Sequence, residues 1–476
     1  MPKKIERIEK GETYLDALSN ILDKLSGFIW GPPLLILLVG TGIFLTFRLA
    51  FIQLRLLPYS LKQVFSRKHD KRAEGDISQF QALMTAMAAT VGVGNIVGVA
   101  TAISLGGPGA VFWMWLAGFF GMATKYGEAI LAVKYRTTDA NGQMAGGPMY
   151  YLEHGLKARW LGVLFALFGT FAAFGIGNGT QSKAVADAVK MTFNVPYWVT
   201  GLVLMAVAAL VILGGIKSIG RVTAFFVPIM ALFYFIAGAI VMITNFSLVP
   251  DAFATIFSHA FGIESVTGGA IGAVIRFGIA RGLFSNEAGL GSAPIAAAAA
   301  RTDMPGRQAL VSMTQVLFDT LIICSITAVT IVMSGVWQDE GVSTGTMTAA
   351  AFGTFFGDAG QYIVGIGIIF FAASTIFGWA YYGEKCFQYL FPKNPRLLIY
   401  YRLFFVIVIY FGATATLDVV WAFSDVMNGL MAIPNLIGLL GLSGVIVAET
   451  RRFRAKIEEE KEAARNGTAP AAGPAE

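Results

Sequence analysis

Charge is scarce in this sequence. Of its 476 residues only 13% are Asp, Glu, Lys or Arg, while 56% are hydrophobic and the mean hydropathy is +0.66. Soluble globular proteins carry about 25% charge and about 45–50% apolar residues, so a chain this apolar and this long cannot be hidden in one or two aqueous cores. That excludes a soluble enzyme, a disordered scaffold and a nucleic-acid-binding domain. Cysteine is almost missing: Cys324 and Cys386 both lie in apolar stretches and offer neither a disulfide framework nor a CxxC metal motif. The three histidines, His69, His154 and His259, are far apart in polar loops, which argues against a His-based zinc or haem centre. No apolar run follows the basic residues of the N-terminus, so the first 25 residues are not expected to act as a cleavable signal peptide.

What is present is apolar length. A transmembrane helix needs about 20 mostly apolar residues, and such runs occur at 28–54, 80–104, 108–134, 160–188, 197–214, 220–245, 264–300, 309–337, 360–390, 397–417 and 423–449. These are about eleven spans of an all-α polytopic membrane protein. The net charge of +6 is explained by where the basic residues fall. They collect in alternate loops: 55–79, Lys134 to Arg159, Lys217 with Arg221, Arg301 with Arg307, Lys385 to Arg402, and Arg451 to Lys456. The intervening loops 246–263 and 338–359 carry Asp251, Asp339, Glu340 and Asp358 instead. The positive-inside rule then puts the C-terminus in the cytoplasm and the N-terminus outside. The mixed-charge stretch 1–27 reads as an amphipathic segment, and the Ala/Pro/Gly-rich end of the tail 450–476 as disordered.

Two spans are interrupted. QALMTAMAATVGVGNIVGVA carries Gly92 and Gly94 around Val93, with Thr90 before and Asn95 after; GLFSNEAGLGSAPIAAAAA carries Gly289 and Gly291 around Leu290. Paired broken helices in corresponding halves of a chain point to a transporter binding site. Unwinding frees backbone groups that must find partners in hydrocarbon, and half-helix N-termini suit anions while unwound carbonyls suit cations. Small residues such as Gly94 and Gly98 also permit close helix packing. Length places the second break at Phe284–Gly291, which leaves Arg276 and Arg281 inside the first half-helix. A charge at the bilayer centre costs about 2.5–3.5 kcal/mol, so both should face protein or water. Arg281 could close an outer gate, pair with Glu287, or form a plain structural ion pair.

GGPGAVFWMW (Gly106–Trp115), MAGGPMYYLE (Met144–Glu153), LGGIKSIGR (Leu213–Arg221) and GLFSNEAGLGSAPIAAAAA (Gly282–Ala300) resemble the alanine or glycine:cation symporter family over about residues 28–450. The resemblance implies a ten-helix core of two inverted five-helix repeats, 80–245 and 264–449, with the span 28–54 an addition. It implies coupled uptake of a small neutral amino acid with Na⁺, without an organic cofactor, nucleic acid or obligate protein partner, in the cell membrane. H⁺ coupling on the same fold is the alternative. By the same resemblance, the substrate carboxylate would meet the N–H groups of Gly92, Val93 and Gly94. Its amino group would face carbonyls around Thr90 and the Phe284, Ser285 and Asn286 strand, with Phe284 covering it. One cation site would use Thr90, Asn95 and Ser285, completed by Asp319; the other would use carbonyls at Ala88, Val91 and Phe371 with the hydroxyls of Ser374 and Thr375. Hard oxygen ligands of this kind suit Na⁺.

Glu287 departs from the wider fold group, which more commonly has a small hydroxyl residue there; it stands as a substrate, cation, proton or Arg281 partner. Gln181, on the fourth span, is either a lining residue or an interhelical hydrogen bonder. Ser374 and Thr375 could instead bond back to carbonyls one turn earlier. Lys125 and Glu128, three apart, read as a local ion pair.

Overall fold

A computed structural model describes residues 18–66, 73–261, 270–415 and 418–466. The basic residues at 67–72, the first part of the run 264–300, most of the N-terminal segment and the end of the tail lie outside the described residues.

The first helical stretch runs from Leu18 to Arg48, with α1 as its part Pro32–Arg48. Short helices Ile52–Arg55 and Leu57–Val64 lead to α2, Gln79–Thr90. There follow α3 (Val97–Gly106), α4 (Ala110–Lys134), α5 (Arg159–Phe193), α6 (Tyr197–Ile212), α7 (Gly215–Thr244) and α8 (Val249–Phe261). The second half holds α9 (Ala270–Asn286), α10 (Pro294–Ala298), α11 (Pro305–Ser334), α12 (Met347–Phe356) and α13 (Asp358–Leu390). It closes with α14 (Leu397–Thr414), α15 (Asp418–Gly441) and α16 (Ser443–Arg465). The run read as 423–449 therefore ends at Gly441, and a new helix starts at Ser443.

Seven of these helices are long and apolar enough to cross a bilayer unaided. The segments α2, α3 and α10, of 12, 10 and 5 residues, are each shorter than a single crossing requires. Much apolar surface points outward: Phe225, Ile243 and Leu210 are 73%, 74% and 82% exposed. Exposure of this kind over many helices is tolerable against lipid and costly against water.

Local chemistry starts and stops the broken helices. Ser78 caps α2, its Oγ accepting from the Gln81 N–H (3.1 Å) while Gln81 Oε1 accepts from the Ser78 N–H (2.9 Å), the reciprocal arrangement that satisfies two orphan donors. Beyond Thr90 the chain leaves the helix, makes a 3₁₀ turn at Val93–Asn95 and resumes as α3. α9 ends at Asn286 because Glu287 takes φ +55° and Gly289 and Gly291 take φ +91° and +86°. Positive φ ends a helix and is cheap at glycine.

The two broken helices run antiparallel. α3 packs along α9, while the chain before α2 pairs with the end of α10: the N–H groups of Asp76 and Ile77 both donate to Ala299 O, and Arg301 N–H donates to Ile77 O. The breaks touch; a Cβ on Gly94 would lie 3.6 Å from Ser285 Cα. α5 and α11 flank them and each contains a wide π turn, Gly175–Gly179 and Leu317–Cys324.

Both ends of the path through the breaks are tied. At the α2 end a hairpin, β1 (Thr137–Thr138) with β2 (Met144–Ala145), follows α4. Beside it Arg136 donates to Ala298 O (3.2 Å), Ala300 O (2.8 Å) and Glu74 O (3.0 Å). Asp139 in the hairpin loop pairs with Lys385 at the end of α13 (2.7 Å). Burial pushes the Asp139 pKa up, but the Lys385 charge and hydrogen bond, with the N–H groups of Gln143 and Asn141, outweigh it and hold the carboxyl below its ordinary value. At the opposite end Trp30 stands edge-on to Phe284 (6.1 Å between centroids) and donates to Asp425 O (3.2 Å), while Ser26 donates to the Asp425 carboxylate.

Candidate functional site

The first break supplies backbone. In the turn Val93–Asn95 the leading N–H groups have no intrahelical acceptor by geometry, and Asn95 Oδ1 takes the Gly92 N–H (2.9 Å). Two side chains crowd Gly92: an added Cβ there would stand 2.6 Å from Thr375 Oγ1 and 3.3 Å from Gln181 Oε1. Gln181 Nε2 donates to Ile176 O (3.1 Å), a carbonyl within the π turn of its own helix, whereas its Oε1 is buried with no hydrogen-bond partner among the described residues. Among the described residues Gln181 bonds within its own helix, and its amide oxygen stands beside Gly92 of the first break.

On the other side of Gly94 lie Phe284 and Ser285, with Phe284 Cδ1 3.9 Å from where a Cβ on Gly94 would sit. The Phe284 ring carries Arg281 over it, 6.0 Å from guanidinium to centroid. Arg281 lies within electrostatic reach of Asp425. Among the described residues Arg281 and Glu287 do not pair: Glu287 Oε1 accepts from Trp379 Nε1 (2.9 Å) and Oε2 from Ser292 Oγ. The reason is the left-handed Glu287, which turns the side chain away from the α9 helix and toward α13. Asn286 is also engaged. Its Nδ2 donates to Thr320 Oγ1 (3.0 Å) and its Oδ1 accepts the Ala288 N–H (2.9 Å), so its side chain fastens α9 to α11.

Two groups of oxygens gather at the first break. In one, Asp319 Oδ1 accepts from Asn95 Nδ2 (2.7 Å), and Oδ2 accepts from Ser285 Oγ (3.0 Å) and Thr320 Oγ1 (2.8 Å). Asn95 Nδ2 also reaches Asp319 O (3.3 Å), a carbonyl of the π turn. Thr90 Oγ1 bonds back to Ala86 O (3.2 Å) and accepts from Gln315 Nε2 (3.0 Å), and Gln315 Oε1 is buried without a partner among the described residues. Asp319, Asn95, Gln315 and Thr320 are 0% exposed.

The other group joins α2 to α13. Ser374 Oγ lies 3.4 Å from Ala88 O and 2.9 Å from Phe371 O; Thr375 Oγ1 lies 3.4 Å from Val91 O and 3.0 Å from Phe371 O. Bonding back to Phe371 O is the ordinary habit of hydroxyls in membrane helices. The cross-helix distances are different in kind. Neutral O–H···O hydrogen bonds cluster at about 2.7–2.8 Å, whereas two oxygens each about 2.4 Å from a hard cation and at right angles to one another stand about 3.4 Å apart. Five oxygens, three from backbone and two from hydroxyls, thus lie together between α2 and α13.

Four participants were not singled out as site residues from the sequence. Trp379 binds Glu287, Gln315 holds Thr90, and Glu128 and Asn435 meet the second break directly. Glu128 stands near the end of the third span, where its neighbour Lys125 supplied a local explanation.

Comparison with known proteins identifies the family. The sodium:alanine symporter family profile matches residues 15–466. A sodium/alanine symporter, AgcS, from Methanococcus maripaludis is 57% identical over 442 residues, 91% of this chain and 97% of that protein. A probable sodium/glutamine symporter, GlnT, from Bacillus subtilis is 38% identical over 92% of this chain and 91% of its own. The solved structure of MhsT in complex with L-phenylalanine superposes with a TM-score of 0.54, covering 79% of this chain and 98% of that one at 14% identity. That likeness bears on the fold alone: a membrane-transporter core of inverted repeats with discontinuous helices. The chain is a multi-pass membrane transporter and not an enzyme. It belongs to the sodium:alanine symporter family.

Proposed function

We propose that the protein carries a small neutral amino acid, alanine or glycine, into the cell together with Na⁺ by alternating access. The observation that carries this reading is the five-oxygen cluster between α2 and α13, one residue from the Gly92–Gly94 backbone. A cation there would tie a broken helix to a continuous one, and its departure would free the two to separate. The substrate carboxylate would sit on the N–H groups of Val93 and Gly94, and its ammonium would meet Gln181 Oε1. Phe284 would cover the ligand. Crowding of Gly92 by Thr375 and Gln181 supports a small side chain. The Asp319 group, with Thr90, Asn95 and Ser285, would form the second cation site.

The relatives' names span alanine and glutamine, so the substrate is settled by uptake of labelled alanine, glycine and glutamine into proteoliposomes. Alanine uptake driven by an inward Na⁺ gradient is expected; uptake indifferent to Na⁺ defeats the coupling. H⁺ coupling is kept as a second reading because the buried Glu287 carboxyl faces Trp379 and Ser292 beside the second break. A pH gradient replacing the Na⁺ gradient would favour it. The repeats 80–245 and 264–449 and an outside N-terminus belong to the same proposal. A single cysteine placed at Arg452, which is exposed on α16, tests orientation; labelling only after permeabilisation is expected.

A further inference from the structure

α4 turns Lys125 and Glu128 toward the second break, and both side chains are withdrawn from solvent, at 1% and 0% exposure. They are 3.8 Å apart, but their shorter contacts are elsewhere. Lys125 Nζ donates to Glu287 O (2.9 Å), the carbonyl just past the end of α9. Glu128 Oε1 accepts the N–H groups of Gly289 (3.1 Å) and Gly291 (3.1 Å) and the Nδ2 of Asn435 on α15 (2.7 Å). Asn435 Nδ2 also bonds Gly289 O (2.8 Å), and Asn435 Oδ1 accepts from Tyr151 OH. Glu128 Oε2 has no hydrogen-bond partner among the described residues. So the cation meets the carbonyl end of one half-helix and the anion meets the N–H groups leading to the other. This is the sign that each end of an interrupted helix favours. Two glycine N–H groups in a left-handed turn make an anion-binding concavity, and here it is filled from within the chain.

We infer that Glu128 is the resident anion of the second break. Its carboxylate fills the backbone donors that an unwound helix otherwise offers to a ligand, and with Lys125 it keeps the break open whether or not a ligand is bound. The transported carboxylate is thereby confined to the first break; this last step rests on the transport reading above, and the first two do not. Glu128 and Lys125 are positioning residues, acting through backbone and not on the substrate.

The test uses the full-length protein in detergent and in proteoliposomes, with formate as the probe. Glu128→Ala leaves a carboxylate-sized gap facing two N–H groups, the Asn435 amide and the Lys125 ammonium. Formate is expected to raise the melting temperature of Glu128→Ala saturably, while wild type does not respond and neutral formamide has no effect. Alanine uptake should fall at least tenfold in Glu128→Ala and recover in part with formate. A folded Glu128→Ala protein indifferent to formate overturns the assignment. Should it fold only with formate present, the assignment stands. Should it not fold at all, Glu128→Gln decides: it keeps the shape without the charge, and a KM for alanine within twofold of wild type overturns the proposal, whereas a tenfold rise supports it. The melting arm is informative even if wild type carries some other solute, so the two readings fail separately.

Discussion

Ser374→Ala removes one of the five oxygens gathered between α2 and α13 and touches little else. Ser374 Oγ contacts Ala88 O, Phe371 O and Met230 Sδ, all of which are acceptors or weak acceptors. The carbonyl of Phe371 keeps its place inside α13 without the hydroxyl, and Ala matches the helix. The fold should therefore tolerate the change, with melting altered by only a few degrees. The cation should not. A hydrogen-bond-like contact with a charged group contributes about 1.5–3 kcal/mol, and 1.4 kcal/mol is tenfold. The Na⁺ concentration for half-maximal alanine uptake should thus rise about 10- to 100-fold, with the maximal rate reached again at high Na⁺. Proteoliposomes loaded without Na⁺ and diluted into mixtures of NaCl and choline chloride measure this directly. Thr375→Ala should shift in the same direction, and Thr375→Ser, which retains the oxygen, should stay within about threefold. An unchanged Na⁺ requirement in both alanine variants would show that these oxygens bond back along their helix and hold no ion.

Gly92→Ala should reduce alanine uptake at least tenfold and also lower the melting temperature, because the new methyl meets the buried Thr375 Oγ1 at 2.6 Å and overpacking costs about 1–3 kcal/mol; saturable uptake at the wild-type KM would refute it. Asp319→Asn places an amide among three donors, Asn95, Ser285 and Thr320; an unsatisfied buried donor costs about 1–3 kcal/mol, and loss of both melting temperature and Na⁺-driven uptake is expected. For Asp139, whose pKa is held below its ordinary 3.8 by Lys385 against the effect of burial, the stabilisation is fully present above that value. It is lost as pH falls through the depressed pKa. Melting of the purified protein at pH 6 and pH 3 should differ more for wild type than for Asp139→Asn; equal slopes would contradict the ion pair's role.

How much of this was readable beforehand follows a physical line. Gly-aliphatic-Gly flanked by Thr90 and Asn95, or by Ser285 and Glu287, is a local signal, because helix interruption depends on the residues at the interruption. Ser374 and Thr375 were legible as adjacent hydroxyls and Asp319 as an acid in an apolar run. Partners fixed by packing were not. Glu128 meets N–H groups 161 and 163 positions away, and no periodicity on α4 distinguishes that from a pair with Lys125. Asn286 looked free for a ligand, yet its contact with Thr320 depends on how α9 crosses α11. Boundaries slipped where a helix restarts inside a mostly apolar run, as at Ser443, where a lone serine between glycines is too weak a signal to mark a change of axis. Gln181 was legible as a polar residue in a span, but which way its amide oxygen points is set by the π turn beneath it.

Those π turns have a bearing on descent. A π turn is one residue inserted into a helix, and each residue rotates an α-helix by about 100°. In α5 the carbonyl of Ile176 accepts from Gln181 Nε2, and in α11 that of Asp319 accepts from Asn95 Nδ2. Deleting a single residue from Gly175–Gly179 would restore a regular helix and swing Gln181 about a quarter-turn away from Gly92. Deletions at these two places should be purged from natural variation even though ordinary helix geometry would accept them, while substitutions that keep the length should pass. Sequence length within two helices thus carries information about ligand chemistry that residue identity does not.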